Sequence, residues 1–362
     1  MLLAMLRYIP SLDVLRAIAV LLVVFVHVPV QLLPPDVQVF RAYLRPGYLG
    51  VDIFFALSGF LITRILIAER GEPRAWRRFW VRRVLRIFPI YYLLLAIVAL
   101  VRPGPELAWV ATYTSNFYFV SDALVSPLQH TWSLAVEEHF YLVWPFVVLL
   151  ASPRAAKALI LVLFVPAAIA TAVWLVKSGT PEAHLVVGHI TPTRILTLSL
   201  GSLLAFGEGF LGRHRLATGL LGAALVPLGY GMAYWGFKLP GLRPLVVVWL
   251  LIGGALLSVG ATLLTIQLDA LRMPRRLAPV LGPALAGMRA VGRVSYGLYL
   301  YHFPIFFALK GRMLGAEGSA RYGWLVAALV LSFAAAFASY HLIERPILRK
   351  AARFRTTEQR PV

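Results

Sequence analysis

The chain has 362 residues, 60% of them apolar and 14% charged, where a soluble globular protein carries roughly 45–50% and about 25%. That composition excludes a water-soluble domain coated with charge and excludes intrinsic disorder. The formal charge of +20, from 35 Lys and Arg against 15 Asp and Glu, raises nucleic acid as a partner, but the basic residues sit at the ends of apolar runs and point to a bilayer instead.

Cysteine is absent, which excludes disulfides, thiolate metal sites and palmitoyl anchors. At roughly 20 residues per crossing the length suits about ten membrane helices, an all-α polytopic bundle with nothing left for a soluble domain. Apolar runs occur at about 12–33, 48–68, 87–101, 134–151, 156–176, 195–211, 215–235, 243–266, 293–309 and 322–343. With both termini in the cytoplasm, 23 of the basic residues fall in inner segments and nine in outer ones, and three lie in or beside apolar runs. The reading is therefore a multi-pass protein of a cytoplasmic membrane. One membrane domain spans 1–350 and a basic cytoplasmic tail spans 351–362.

The first run follows Arg7 and superficially resembles a signal peptide. Its length, with Arg16 and His27 inside it and no small-residue cleavage site after it, makes it a retained helix. Arg16 and His27 are 11 residues apart, about three turns, so both project from nearly the same face at a separation of roughly 16 Å. Asp13, one turn before Arg16, can pair with it. His27 suits either an interhelical hydrogen bond or proton transfer from a hydroxyl near neutral pH.

The second run reads Gly47-Tyr-Leu-Gly-Val-Asp52-Ile-Phe-Phe-Ala-Leu-Ser58-Gly59. Asp52 and Ser58 are polar groups at membrane depth, and Gly59 permits close approach of another helix or of a ligand. Before the third run, Arg74, Arg78, Arg82 and Arg86 recur every four residues opposite Trp76, Trp80, Val84 and Phe88. The pattern predicts a basic amphipathic helix at the inner surface, ending before the crossing begins. It would anchor to anionic lipid or bind a phosphorylated ligand through its guanidinium forks.

The fourth run opens His130-Thr-Trp132-Ser133-Leu-Ala-Val-Glu137-Glu138-His139-Phe-Tyr141. Ser133, Glu137 and Tyr141 fall at i, i+4 and i+8 and share a face. The acids suit either the positive end of the helix dipole or a site that orients an imidazole or binds hydroxyls. Toward the C-terminus, Ser295, Tyr299 and His302 form another polar ladder, and Glu344 and Arg345 close the last helix. His130, His184 and His189 follow no informative pattern.

Taken together these strings resemble the membrane-bound acyltransferase family 3, bacterial O-acyltransferases of surface glycans, peptidoglycan and some antibiotics. The resemblance rests on Leu12-Asp13-x-x-Arg16 with His27, on Gly50-Val-Asp52 through Ser58-Gly59-Phe60, and on Arg82-Arg83-x-x-Arg86. Trp132-Ser133-Leu-x-x-Glu137-x-x-Phe-Tyr141, Ser295 to His302 and Glu344-Arg345-Pro346 complete it. It implies a ten-helix fold, with acyl-CoA as a cytoplasmic cosubstrate and no permanently bound cofactor or metal. The acceptor it implies is a hydroxyl, often of a sugar or a lipid-linked sugar. By motif, Arg16, His27, Arg83, Arg86 and Glu137 match functional positions. His139 stands where many members have Gln, and the hydrolase-like domain that some members carry does not appear in these residues.

On this reading His27 is the proton acceptor, with Glu137 and Arg16 beside it in a catalytic group. Arg82, Arg83 and Arg86 hold the donor, and Asp52, Ser58, Gly59, Ser133, Tyr141, Tyr299 and His302 line the site. Bulk membrane lipid is a further partner, and nucleic acid is not. The rival from another class is a transporter or flippase of an anionic or glycolipid substrate, which requires inverted repeats and broken helices that the sequence does not display. A passive scaffold would leave the buried charges unexplained.

Overall fold

The computed structural model describes residues 8–38, 46–120, 125–179, 182–238, 246–271 and 276–351. Among them every regular element is helical. The order is α1 (Pro10–His27), α2 (Pro46–Ala68), α3 (Ala75–Val101), α4 (Glu106–Ala111), α5 (Ser115–Tyr118) and α6 (Trp132–Leu150). Next come α7 (Pro153–Leu159), α8 (Val165–Lys177), α9 (Ala183–His189), α10 (Thr191–Phe206), α11 (Glu208–Arg213) and α12 (Arg215–Lys238). Last are α13 (Val246–Asp269), α14 (Ala278–Arg293), α15 (Ser295–Gly315), α16 (Ala320–Ser339) and α17 (Arg345–Ala351). Single π-helical turns, Ile160–Phe164 and Tyr340–Glu344, join α7 to α8 and α16 to α17.

Eight helical segments among the described residues are long and apolar enough to cross a bilayer. Two of the ten expected runs are not among them. α10 has 16 residues, about 24 Å at 1.5 Å per residue, short of the roughly 30 Å of hydrocarbon. α15 is long enough at 21 residues but carries three tyrosines, His302, Lys310 and Arg312. α10 and the first half of α15, as far as Phe306, pack inside the bundle, where neighbouring helices cover them. The basic tail, from residue 352 on, lies outside the described residues.

α2 is central, with 72% of its apolar window buried, whereas α12 is peripheral at 17%. α2 and α10 meet backbone to backbone: a Cβ on Gly59 would collide with the Leu198 carbonyl, and one on Gly201 with the Ala56 carbonyl. The Ser202 hydroxyl donates to the Gly59 carbonyl at 3.2 Å, and so does that of Thr63 at 2.7 Å. Small residues at a crossing allow this approach, as in other membrane helix pairs. Gly59→Ala should destabilise the protein by about 1–3 kcal/mol, the cost of overpacking, seen as a lower melting temperature in detergent. An unchanged melting temperature would show that the crossing can spread.

The basic segment is not a separate surface helix. α3 runs unbroken through 27 residues, about 40 Å, so the arginines and the third crossing form one rod. Its covered face carries Ala75, Phe79, Ile87, Ile90, Tyr91 and Leu94, which matches neither stripe seen in the sequence. After α3 the chain turns back, and Tyr113 stacks on Tyr91 at 4.4 Å and on Phe88 at 5.6 Å. Tyr91 and Tyr92 donate to the carbonyls of Val110 and Ala111 at 2.7 and 2.9 Å. The last carbonyls of a short helix packed beside the middle of a membrane helix require such internal partners.

Candidate active site

One face of α6 organises the interior. Ser133, Glu137 and Tyr141 descend it one turn apart, and each meets a side chain from another helix. The Ser133 hydroxyl lies 2.5 Å from the Tyr299 hydroxyl of α15, which also donates to the His130 carbonyl at 2.9 Å. Glu137 Oε1 accepts the Ser58 hydroxyl of α2 at 2.7 Å. The Arg83 guanidinium of α3 stands 5.9 Å above the Tyr141 ring.

At the Ser133 end three imidazoles gather. His27, the last residue of α1, is half-buried, with Nδ1 at 2.9 Å from the Val23 carbonyl and 3.0 Å from His302 Nε2. His302 is fully buried, and its Nδ1 lies 3.0 Å from the Leu298 carbonyl. His130 Nε2 lies 3.0 Å from the Leu300 carbonyl, while its buried Nδ1 has no hydrogen-bond partner. The His130 ring centre is 5.6 Å from those of His302 and Tyr299, and Phe303 lies 4.6 Å from His27 and 5.3 Å from His130. Sequence reading passed over His130. Its signal was position: it sits three residues before Ser133, one turn up the same ladder.

At the Tyr141 end guanidinium groups converge. Arg83 also packs over Phe79 at 5.8 Å, and its Nε is buried without a hydrogen-bond partner. Arg16 forms the pair with Asp13 that its spacing suggests, at 2.8 Å. Tyr8 donates to the other Asp13 oxygen, and burial together with that bond pushes its phenol up to about 12. Arg86 lies within electrostatic reach of Arg16, Arg83 and Glu344, and Arg16 and Arg83 both act on Glu137. Arg82 is also within electrostatic reach of Arg83, but its guanidinium is held at 2.6 Å by the fully buried Glu69.

Asp52 and Gly59 also lie outside the ladder. Asp52 Oδ1 accepts Arg194 Nη2 of α10 at 2.6 Å and the Thr197 hydroxyl at 3.2 Å. Both partners of the ion pair are only 3% exposed, and Arg194 rests over Phe55 and Trp132 at 5.2 and 5.7 Å. Gly59 is the close crossing with α10. His139 bonds the Thr191 hydroxyl at 2.6 Å and stacks on Phe117. Of the two roles the sequence left open for Glu137, orienting an imidazole or binding hydroxyls, its bond here is to the Ser58 hydroxyl, while His27 bonds His302.

The result is a column of polar side chains inside an apolar bundle. It runs from Arg16 and Arg86 through Arg83, Tyr141, Glu137 and Ser58, then Ser133 and Tyr299, to His130, His302 and His27. Ser133 to Tyr141 alone covers eight residues, about 12 Å along α6.

Comparison with known proteins gives this column a family. A family model described as an acyltransferase domain matches residues 9–342, and the chain belongs to that family, the acyltransferase 3 family of the sequence resemblance. The O-acetyltransferase OatA of Staphylococcus aureus is 28% identical, the match covering 95% of this chain and 58% of the relative. The putative peptidoglycan O-acetyltransferase YrhL of Bacillus subtilis is 31% identical, covering 94% and 55%. The peptidoglycan O-acetyltransferase OatA of Listeria monocytogenes is 31% identical, covering 83% and 49%. The chain thus spans about half the length of these curated relatives. No solved structure matches it.

Proposed function

We propose that this chain is an integral-membrane O-acyltransferase that moves an acyl group, acetyl as in the names of its relatives, from acyl-CoA to a hydroxyl of a glycan such as peptidoglycan. The observation that carries the reading is the polar column. Ionisable groups at membrane depth are expensive and mark functional paths, and this path joins a phosphate-binding chemistry to a proton-accepting one. The charge asymmetry of the sequence supports a cytoplasmic membrane, with the arginine end and both termini toward the cytoplasm.

In this scheme Arg83 and Arg86 hold the donor's phosphates, for which guanidinium forks are matched. The unpartnered Arg83 Nε leaves a donor available for that task. The acceptor hydroxyl oxygen attacks the thioester carbonyl carbon while His27 Nε2 takes its proton. As the carbon–sulfur bond breaks, the leaving thiolate takes that proton from His27, giving an ester and free CoA thiol. Glu137, tied to Ser58 and flanked by Arg16 and Arg83, keeps the stretch between the two ends polar and ordered.

The test is thiol release by the purified chain in detergent, given acetyl-CoA and soluble peptidoglycan fragments. Acceptor-dependent release of CoA thiol is expected; none above a protein-free control overturns the reading. Arg83→Gln with Arg86→Gln should raise KM for acetyl-CoA about tenfold or more, the effect of losing a hydrogen bond to a charged group. An unchanged KM in that double variant would remove the donor site from the arginine end.

A further inference from the structure

The His27–His302 contact fixes where the protons are. A carbonyl oxygen only accepts, so His302 Nδ1, 3.0 Å from the Leu298 carbonyl, carries a hydrogen. His27 Nδ1, 2.9 Å from the Val23 carbonyl, carries one for the same reason. In a neutral imidazole the other nitrogen is then an acceptor. His302 Nε2 therefore accepts from His27 Nδ1 at 3.0 Å, and the His27 proton is shared between His302 and its own helix carbonyl, a three-centre bond of a common kind. The same logic leaves the lone pair of His27 on Nε2.

We propose that His302 is the positioning residue for His27: through a neutral acceptor nitrogen it fixes the tautomer and ring orientation that make His27 Nε2 the basic atom. The proposal rests on the reading of His27 as proton acceptor and adds the group that prepares it. In a serine-hydrolase triad that duty falls to a buried carboxylate. Here a buried imidazole stands against Nδ1, and a neutral one spares the bundle the desolvation of a second buried charge. Once His27 takes the hydroxyl proton, its Nδ1–H bonds become charge-assisted, and two acceptors already stand in place for them.

His302 is built for a fixed task. It is fully buried, anchored through Nδ1 to its own helix, and bounded by the rings of His130, Tyr299 and Phe303 at 5.6, 5.8 and 6.2 Å. His130 has a comparable anchor through Nε2. Its ring nitrogens bond no other imidazole, which singles out His302 as the group that orients.

The test compares His302→Leu with His302→Gln in the thiol-release assay. The glutamine amide oxygen can stand near the position of Nε2 and accept, and leucine cannot. His302→Leu should lower kcat about 100-fold, within the range of acid–base contributions, with KM for acetyl-CoA unchanged. His302→Gln should recover most of that loss. Wild-type kcat in His302→Leu overturns the proposal, and so does an equal loss in both variants accompanied by a lowered melting temperature, the mark of a packing role. A readout independent of activity is the nitrogen–nitrogen coupling across the bond in protein labelled with 15N-histidine. A coupling between His27 Nδ1 and His302 Nε2 is expected in the wild type and its absence overturns the pairing. Should wild-type protein release no thiol, the acyltransferase reading fails while this coupling still reports on the pair.

Discussion

Replacing His27 with alanine should lower kcat for acyl transfer by about 10²–10⁴-fold, the usual contribution of a positioned general base. Acetyl-CoA binding should stay within a factor of two. The two effects separate because the column separates them: Arg16 lies roughly 16 Å along α1 from His27, and Arg83 and Arg86 belong to α3. Truncation also vacates a ring-sized volume beside His302 Nε2, so added imidazole should restore part of the rate. Thiol release measures kcat, and quenching of tryptophan fluorescence by acetyl-CoA measures binding. Wild-type kcat in the variant would end the assignment of His27, and loss of donor binding would show that the ends of the column do not act separately.

The second large effect concerns stability. Asp52→Ala should destabilise the protein by about 3–5 kcal/mol, because it leaves the Arg194 guanidinium buried without its counter-charge. Arg194→Ala should cost a similar amount by stranding the carboxylate. The paired replacement Asp52→Leu with Arg194→Met should recover much of the loss, since an apolar pair removes both desolvation costs together. Melting temperature in detergent reads all four proteins. If Asp52→Ala melts with the wild type, the pair is not what joins α2 to α10.

Eight of the ten crossings were legible because hydrophobic runs record the bilayer directly, and the ladder on α6 because a period of 3.6 fixes which residues of one helix share a face. The Asp13–Arg16 pair was legible on the same ground. What periodicity lacks is the identity of the helix opposite. His27 and His302 are 275 residues apart, and nothing in either local string marks them as neighbours. Glu137 shows the same limit: its face could be read, but not that the hydroxyl it binds comes from α2. The seam between the basic segment and the third crossing was misread because the stripe of arginines suggested a helix lying on a surface. Phe79 and Ile87 bury a third face, and it carries the segment straight on into the bundle.

The ion pair between α2 and α10 also bears on how the chain enters its membrane. A lone Asp or Arg at the centre of a helix costs roughly 2.5–3.5 kcal/mol during insertion, and α10, at 16 residues, has little apolar length with which to offset it. α2, with its long apolar run, can bear that cost by itself, whereas α10 is suited to the membrane only beside the counter-charge that α2 already holds there. Order of assembly, rather than hydropathy, then decides whether this short helix becomes part of the membrane at all.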